Sequence, residues 1–187
     1  MFYGFKDFLI AGGYKINVIR EYYKNSKEFK NLKIINTGID NLTGKRILRL
    51  KKYLKENENF FLTYGDGVSN INIRKLLNFH VKNNKIATIT AVRPPVKFGE
   101  LIINKNSTVK SFLEKPQVSK GWINGGFFVL NKKVFNFIPS YNNMFEQKPL
   151  SNLTKKKQLI AFKHHGYWKC MDNLKEKNQL EDIYKKY

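Results

Sequence analysis

Phe60-Phe61-Leu62-Thr63-Tyr64-Gly65-Asp66-Gly67-Val68 is an aromatic and aliphatic run that stops at a carboxylate held between two glycines. Its length and β-rich composition predict a buried strand. The helical pattern from Ile71 to Val81 follows at once, so the stretch reads as one βα step. In open α/β sheets ligands collect outside the carboxyl ends of the strands, where glycines let phosphate approach the backbone and a carboxylate can hold Mg²⁺ with its waters. A second reading makes Asp66 a helix cap. Ser69 and Asn70 stand nearer the helix start and can take that role, so metal work is the favoured reading of Asp66.

Working outward, the 187 residues are 42% hydrophobic, enough to bury one sizeable core, and the simplest organisation is a single α/β domain over 1–187. Cys170 is the only cysteine, which excludes an intrachain disulfide and fits a reducing, cytoplasmic setting. The start lacks the basic and apolar regions of a signal peptide, and no apolar stretch is long enough to span a bilayer. The formal charge of +21 raises nucleic-acid binding as a function class. Only five of the 35 basic residues are Arg, however, and the lysines are dispersed among many Asn and Ile rather than gathered on one element. Lys, Asn and Ile share A/T-rich codons, so a compositional bias accounts for the charge at least as well, and Lys155-Lys156-Lys157 reads as a solvated loop.

Along the chain, strands are predicted at Asp7 to Ala11, Leu32 to Asn36 and Ile86 to Val92, with helices at Tyr14 to Lys24 and Arg46 to Lys55. Pro94-Pro95 breaks the pattern. Strands at Gly99 to Ile103, Val109 to Glu114 and Trp122 to Leu130 follow, two of them forming a hairpin around Asn104 to Ser107. Met144 to Lys156 reads as a helix, Leu159 to Lys163 as a strand and Leu174 to Tyr187 as a terminal helix. Alternation followed by a more antiparallel half predicts a mostly parallel mixed sheet with an added subregion.

Four further segments carry polar groups suited to chemistry. Thr37-Gly38 with Thr43-Gly44-Lys45-Arg46 is a glycine-bearing loop that brings hydroxyls and a guanidinium to a base or phosphate, or is a plain connection. Phe112-Leu113-Glu114-Lys115-Pro116 ends a strand in a carboxylate and an ammonium suited to a sugar phosphate, although exposed Glu-Lys neighbours are ordinary surface. In Trp122-Ile123-Asn124-Gly125-Gly126-Phe127-Phe128 the paired glycines signal a bulge or a close approach, to ligand or to protein. Tyr167-Trp168-Lys169-Cys170-Met171-Asp172 again approaches a carboxylate, which taken singly is better read as the cap of the last helix. His164 and His165 face opposite sides of a strand and are read as surface or hydrogen-bonded residues rather than a joint metal site.

Taken in order, these segments resemble the sugar-nucleotide pyrophosphorylases, and among them the glucose-1-phosphate cytidylyltransferase family. The likeness runs through Lys6-Asp7-Phe8, Gly13-Tyr14-Lys15, Thr37-Gly38, Thr43-Gly44, Thr63-Tyr64-Gly65-Asp66-Gly67-Val68, Phe79-His80, Phe98-Gly99, Glu114-Lys115-Pro116, Ile123-Asn124-Gly125-Gly126-Phe127-Phe128, Glu146-Gln147-Lys148-Pro149-Leu150 and Gly166-Tyr167-Trp168 to Met171-Asp172. It implies an α/β Rossmann-like nucleotidyltransferase fold and transfer of CMP from CTP to glucose 1-phosphate, giving CDP-glucose and pyrophosphate for cell-surface polysaccharide synthesis. By the same resemblance Asp66 and Asp172 are the catalytic carboxylates that hold Mg²⁺, and Thr43, Arg46 and Gly65 serve the nucleotide. Gly99, Glu114, Lys115 and Asn124 hold the sugar phosphate.

The chain also departs from the family pattern. The Leu-Ala-Gly-Gly-x-Gly-Thr-Arg-Leu loop that wraps the triphosphate is not found, and Ile10-Ala11-Gly12-Gly13 mimics only its first letters. The expectation is a domain lacking its first βαβ portion, with severely reduced triphosphate binding and little activity alone, that works as a homo-oligomer or with a complementing N-terminal polypeptide. The alternatives are a non-catalytic remnant or subunit that binds sugar phosphate or a full-length homologue and, more remotely, a basic nucleic-acid module.

Overall fold

The computed structural model describes residues 3–26, 29, 31–54, 59–94, 100–113 and 121–185. The chain opens with a βαβ unit: β1 (Asp7–Gly12), α1 (Ile16–Tyr23) and β2 (Asn31–Asn36). β1 and β2 pair in parallel from Asp7 opposite Asn31 to Gly12 opposite Asn36, as a connection through a helix requires. Next come α2 (Thr43–Leu50) with a 3₁₀ turn at Lys51–Tyr53, β3 (Asn59–Thr63), β4 (Gly67–Ser69), α3 (Ile73–Asn83) and β5 (Ala87–Val92). β6 (Glu100–Ile103) and β7 (Val109–Leu113) form the expected antiparallel hairpin, tightened by Asn104 N–H to Thr108 O at 2.8 Å. β8 (Ile123–Asn131), a 3₁₀ segment (Lys132–Phe137), α4 (Lys148–Lys155), β9 (Leu159–Lys163), β10 (Trp168–Cys170) and α5 (Leu174–Tyr184) complete the order. A four-stranded sheet runs β3-β8-β5-β9, and β4 and β10 form a separate antiparallel pair.

Three differences from the predicted elements have identifiable causes. The run from Phe60 to Val68 is two strands, because the chain turns at Tyr64 to Asp66 and β4 takes β10 as its partner. α2 starts at Thr43 rather than Arg46, since Gly44 N–H bonds the Asn143 carbonyl at 3.0 Å and Thr43 Oγ1 accepts from Phe145 N–H at 2.9 Å. α4 starts at Lys148 rather than Met144, with Pro149 in its first turn, where a missing N–H costs nothing and φ is already helical. No helix among the described residues is long and apolar enough to cross a membrane.

The chain divides into two compact units. The first comprises Met1–Phe60, Leu77–Thr88 and Val129–Ile160. Its core holds Ile47, Ala87, Val129, Leu130, Val134, Phe135, Phe145 and Leu153, all buried. A buried polar network also lies in it. Asn131 Oδ1 accepts from Lys133 N–H, so its amide donates to Asn59 Oδ1 at 3.1 Å. That oxygen also receives His80 Nε2 at 3.2 Å, while His80 Nδ1 meets Thr88 Oγ1 at 2.8 Å. His80 is 2% exposed, and burial lowers its pKa below the ordinary histidine value. The second unit comprises Phe61–Leu76, Ile89–Phe128 and Ala161–Tyr187, and buries Ile71, Leu76, Ala91, Val92 and Phe128.

Candidate active site

The apolar centre of β3, Phe60-Phe61-Leu62, suits it to a sheet, and the strand is followed by Tyr64, whose N–H bonds the Gly126 carbonyl at 3.3 Å. Tyr64 then packs edge-on to Phe128. Gly126 has φ +76, and a Cβ there would stand 2.8 Å from Tyr64 Cδ2. Gly125 is buried: a Cβ would meet Val92 Cγ1 at 2.8 Å, and its carbonyl accepts the Trp168 indole N–H at 2.8 Å. The two glycines thus serve close approach of protein to protein, the structural reading of that motif. They seat Tyr64 at the end of β3 and Trp168 at the start of β10.

The seating brings the backbone of Asp66 and of Met171-Asp172 to one ladder end. β4 and β10 align Trp168 with Ser69, Lys169 with Val68 and Cys170 with Gly67. One step further, Met171 N–H donates to the Asp66 carbonyl at 2.9 Å. Asp66 and Asp172 therefore stand at the same end of one short ladder, both exposed. Neither is a helix cap. Asn72 caps α3, its Oδ1 accepting from Lys75 N–H at 2.9 Å, so the cap is neither Ser69 nor Asn70. Asn173 caps α5, accepting from Glu176 N–H at 3.0 Å, while Glu176 Oε2 reaches back to Asp172 N–H at 2.8 Å. This reciprocal arrangement closes the helix start and leaves the Asp172 side chain out of it. Asp172 Oδ2 accepts from the Cys170 thiol at 3.3 Å.

Gly65 is exposed, with open space where a Cβ would stand. Asn124 is exposed on β8, one residue from the glycine that holds Trp168, and its Oδ1 accepts from Gly126 N–H at 2.8 Å. Gly99, Glu114 and Lys115 lie outside the described residues. The described residues include no group of three or more His, Cys, Asp or Glu that could hold a metal ion.

Thr43 and Arg46 belong to the first unit, and their polar groups have internal partners. Arg46 Nη1 donates to Thr37 Oγ1 at 2.8 Å and to the Gly12 carbonyl at 3.3 Å, and Nη2 donates to the Ile39 carbonyl at 3.0 Å. A Cβ on Gly13 would collide with the guanidinium, so this glycine is room made for Arg46. Thr43 Oγ1 donates to Glu146 Oε2 at 2.6 Å. Glu146 is the partner that residue-by-residue reading missed, although it stands in a motif that the family resemblance singled out.

Also missed was the polar cluster at the far end of the β4–β10 ladder. The Tyr167 carbonyl accepts from Ser69 Oγ at 2.8 Å and from Asn70 N–H at 3.2 Å, with His164 Nε2 at 3.2 Å. Nothing in the spacing of Ser69 and His164 announces that contact, which exists only because β10 returns beside β4. His165 packs edge-on to Trp122, whose ring also attracts Arg93 at 4.4 Å.

The profile of the nucleotidyl transferase family matches residues 1–175. The chain is 39% identical to the glucose-1-phosphate cytidylyltransferase of Salmonella typhimurium over 206 aligned residues, covering 98% of this chain and 80% of that protein. It is 37% identical to the probable glucose-1-phosphate cytidylyltransferase of Bacillus subtilis, covering 96% of this chain and 79% of that protein. Among solved structures, HddC from Yersinia pseudotuberculosis superposes with a TM-score of 0.72 at 21% identity, over 97% of this chain and 80% of that one. That likeness concerns the fold, which is the Rossmann-like α/β fold of these enzymes.

Proposed function

The chain belongs to the nucleotidyl transferase family, and from that membership we propose that it transfers CMP from CTP to glucose 1-phosphate, releasing pyrophosphate and CDP-glucose. The observation that carries the reading is the Met171 N–H bond to the Asp66 carbonyl, which sets the position of Asp66 beside the residue preceding Asp172 at one ladder end. The names of the relatives supply the substrates. In the reaction a phosphate oxygen of the sugar phosphate attacks the α-phosphorus of CTP, and the bond from that phosphorus to the bridging oxygen breaks. The electron pair leaves with pyrophosphate.

Two exposed carboxylates suit Mg²⁺, which takes one or two protein carboxylates and completes its shell with water and phosphate. Asp66 and Asp172 would hold it, and when bound it would neutralise charge on the phosphates. The chain's other contributions are positional. Gly65 leaves the turn open to the nucleotide. Asn124, with Gly99, Glu114 and Lys115, is assigned to the sugar phosphate. Arg46 and Thr43 serve the nucleotide through the loop they brace, because their hydrogen-bonding groups are engaged within it. No covalent intermediate on the protein is needed, since holding the two phosphates in line supplies much of the acceleration.

The test is product formation by the purified chain with CTP, glucose 1-phosphate and Mg²⁺, followed as CDP-glucose. Product that vanishes with Asp66→Asn supports the assignment. Equal use of UTP or dTTP overturns the cytidylyl specificity, and absence of any nucleotide sugar from a folded chain overturns the activity.

A further inference from the structure

We propose that Ser69 and His164 are positioning residues that lock the register of the β4–β10 ladder and so set the separation of Asp66 and Asp172. The proposal rests on the reading of those carboxylates as the metal ligands. The ladder has three residue pairs, too few to hold register unaided, and a slip of one residue would take Met171 N–H off the Asp66 carbonyl and shift Asp172 along with it. What closes the far end is a side-chain clamp.

The roles in the clamp follow from counting protons. Ser69 Oγ has one, which it donates to the Tyr167 carbonyl at 2.8 Å, and the same oxygen accepts Ile71 N–H at 3.2 Å. His164 Nε2 lies 3.1 Å from Ser69 Oγ and 3.2 Å from the Tyr167 carbonyl. A carbonyl oxygen only accepts and the Ser69 proton is already directed to it, so both contacts require His164 to present Nε2–H. An imidazole in that state is not a base toward Ser69, and the pair is therefore a brace rather than a nucleophile with its activator.

The brace is itself anchored. His164 N–H bonds the carbonyl of buried Ala91 on β5 at 2.9 Å, and Asn70 N–H adds a bond to Tyr167 O at 3.2 Å. Gly166 completes the fit, because a Cβ there would stand 2.7 Å from His164 Cε1 and collide with Asn70. The clamp thus ties the connection between β9 and β10 to both β5 and β4. From it the ladder runs through its three pairs to the Asp66–Met171 bond.

Two readouts test this. Amide exchange at Met171, followed by NMR or mass spectrometry, reports the ladder without reference to metal. Mn²⁺ titration followed by electron paramagnetic resonance reports the carboxylates. His164→Ala and Ser69→Ala are each expected to speed Met171 exchange and to weaken Mn²⁺ binding about tenfold, the size typical of groups that orient metal ligands. His164→Gln, whose amide still donates, is expected to recover most of both. Met171 exchange unchanged in His164→Ala and Ser69→Ala overturns the clamp. Faster exchange with Mn²⁺ affinity unchanged overturns its link to the carboxylates. Unaltered Mn²⁺ affinity in Asp66→Asn instead overturns the metal reading on which the proposal rests.

Discussion

As sequence, the Arg46 loop of the first unit and the Asp66–Asp172 ladder end of the second unit are alike, since each is a glycine-bearing polar segment beside an apolar run. In the structure they are opposites. Arg46 reaches Thr37, Gly12 and Ile39, and Thr43 is shared between Glu146 and Phe145. At the ladder end the backbone is tied by Met171 while both carboxylates remain exposed. Polar groups enclosed by the fold contribute to stability, and polar groups at an exposed edge are accessible to a ligand. Charge and glycine alone do not separate the two cases.

The largest effect that can break this comparison is expected at the ladder end. Asp66→Asn and Asp172→Asn should each lower nucleotidyl transfer at least about 100-fold, the size of removing one well-placed electrostatic group. Their urea midpoints should stay close to wild type, as for exposed surface substitutions. A carboxylate variant that unfolds at markedly lower urea would place this region with the Arg46 loop.

Arg46→Ala should do the reverse. Removing a part-buried guanidinium takes away its charge-assisted hydrogen bonds to Thr37, Gly12 and Ile39, although Thr37 still donates to the Gly12 carbonyl, and should cost about 1.5–3 kcal/mol of stability, measured by urea denaturation. Activity of the folded fraction should suffer mainly through KM for CTP. An unchanged midpoint with lost CTP binding would show the guanidinium working directly on the nucleotide.

The smallest effect sharpens the contrast within the first unit. His80 is buried in its hydrogen-bonded network with its pKa lowered by burial, so the unfolded chain takes up a proton at higher pH than the folded one. Its stabilisation is complete above the ordinary value near 6.5 and is lost as pH falls from there toward the depressed value. The slope in that window is at most about 1.4 kcal/mol per pH unit. Urea midpoints at pH 7.5 and 5.5 should diverge more for wild type than for His80→Gln, and equal slopes would remove His80 from the account.

Most strands and helices were legible because apolar periodicity and punctuation by glycine and proline are local properties. The hairpin around Asn104 and the βα step after Asp66 both announce themselves within a dozen residues. The break at Tyr64 to Asp66 and the early start of α2 were not legible. Each is imposed by residues about a hundred positions away: Trp168 to Cys170 beside β4, and Asn143 to Glu146 beside Thr43. The resemblance named Asp66 and Asp172 as partners, while residue-by-residue reading preferred a cap for Asp172. Only the presence of Asn173 and Glu176 in the closed helix start decides against that cap.

By itself the sequence determined the α/β class, the apolar elements and the two segments that end in carboxylates, because side-chain period and turn chemistry act over neighbouring residues. Tertiary structure decided which polar groups would be used up. A hydroxyl, a guanidinium or an imidazole is reactive, bracing or buried according to what the rest of the chain brings within about 3 Å of it, and hydrogen bonding at that range has no counterpart in linear spacing.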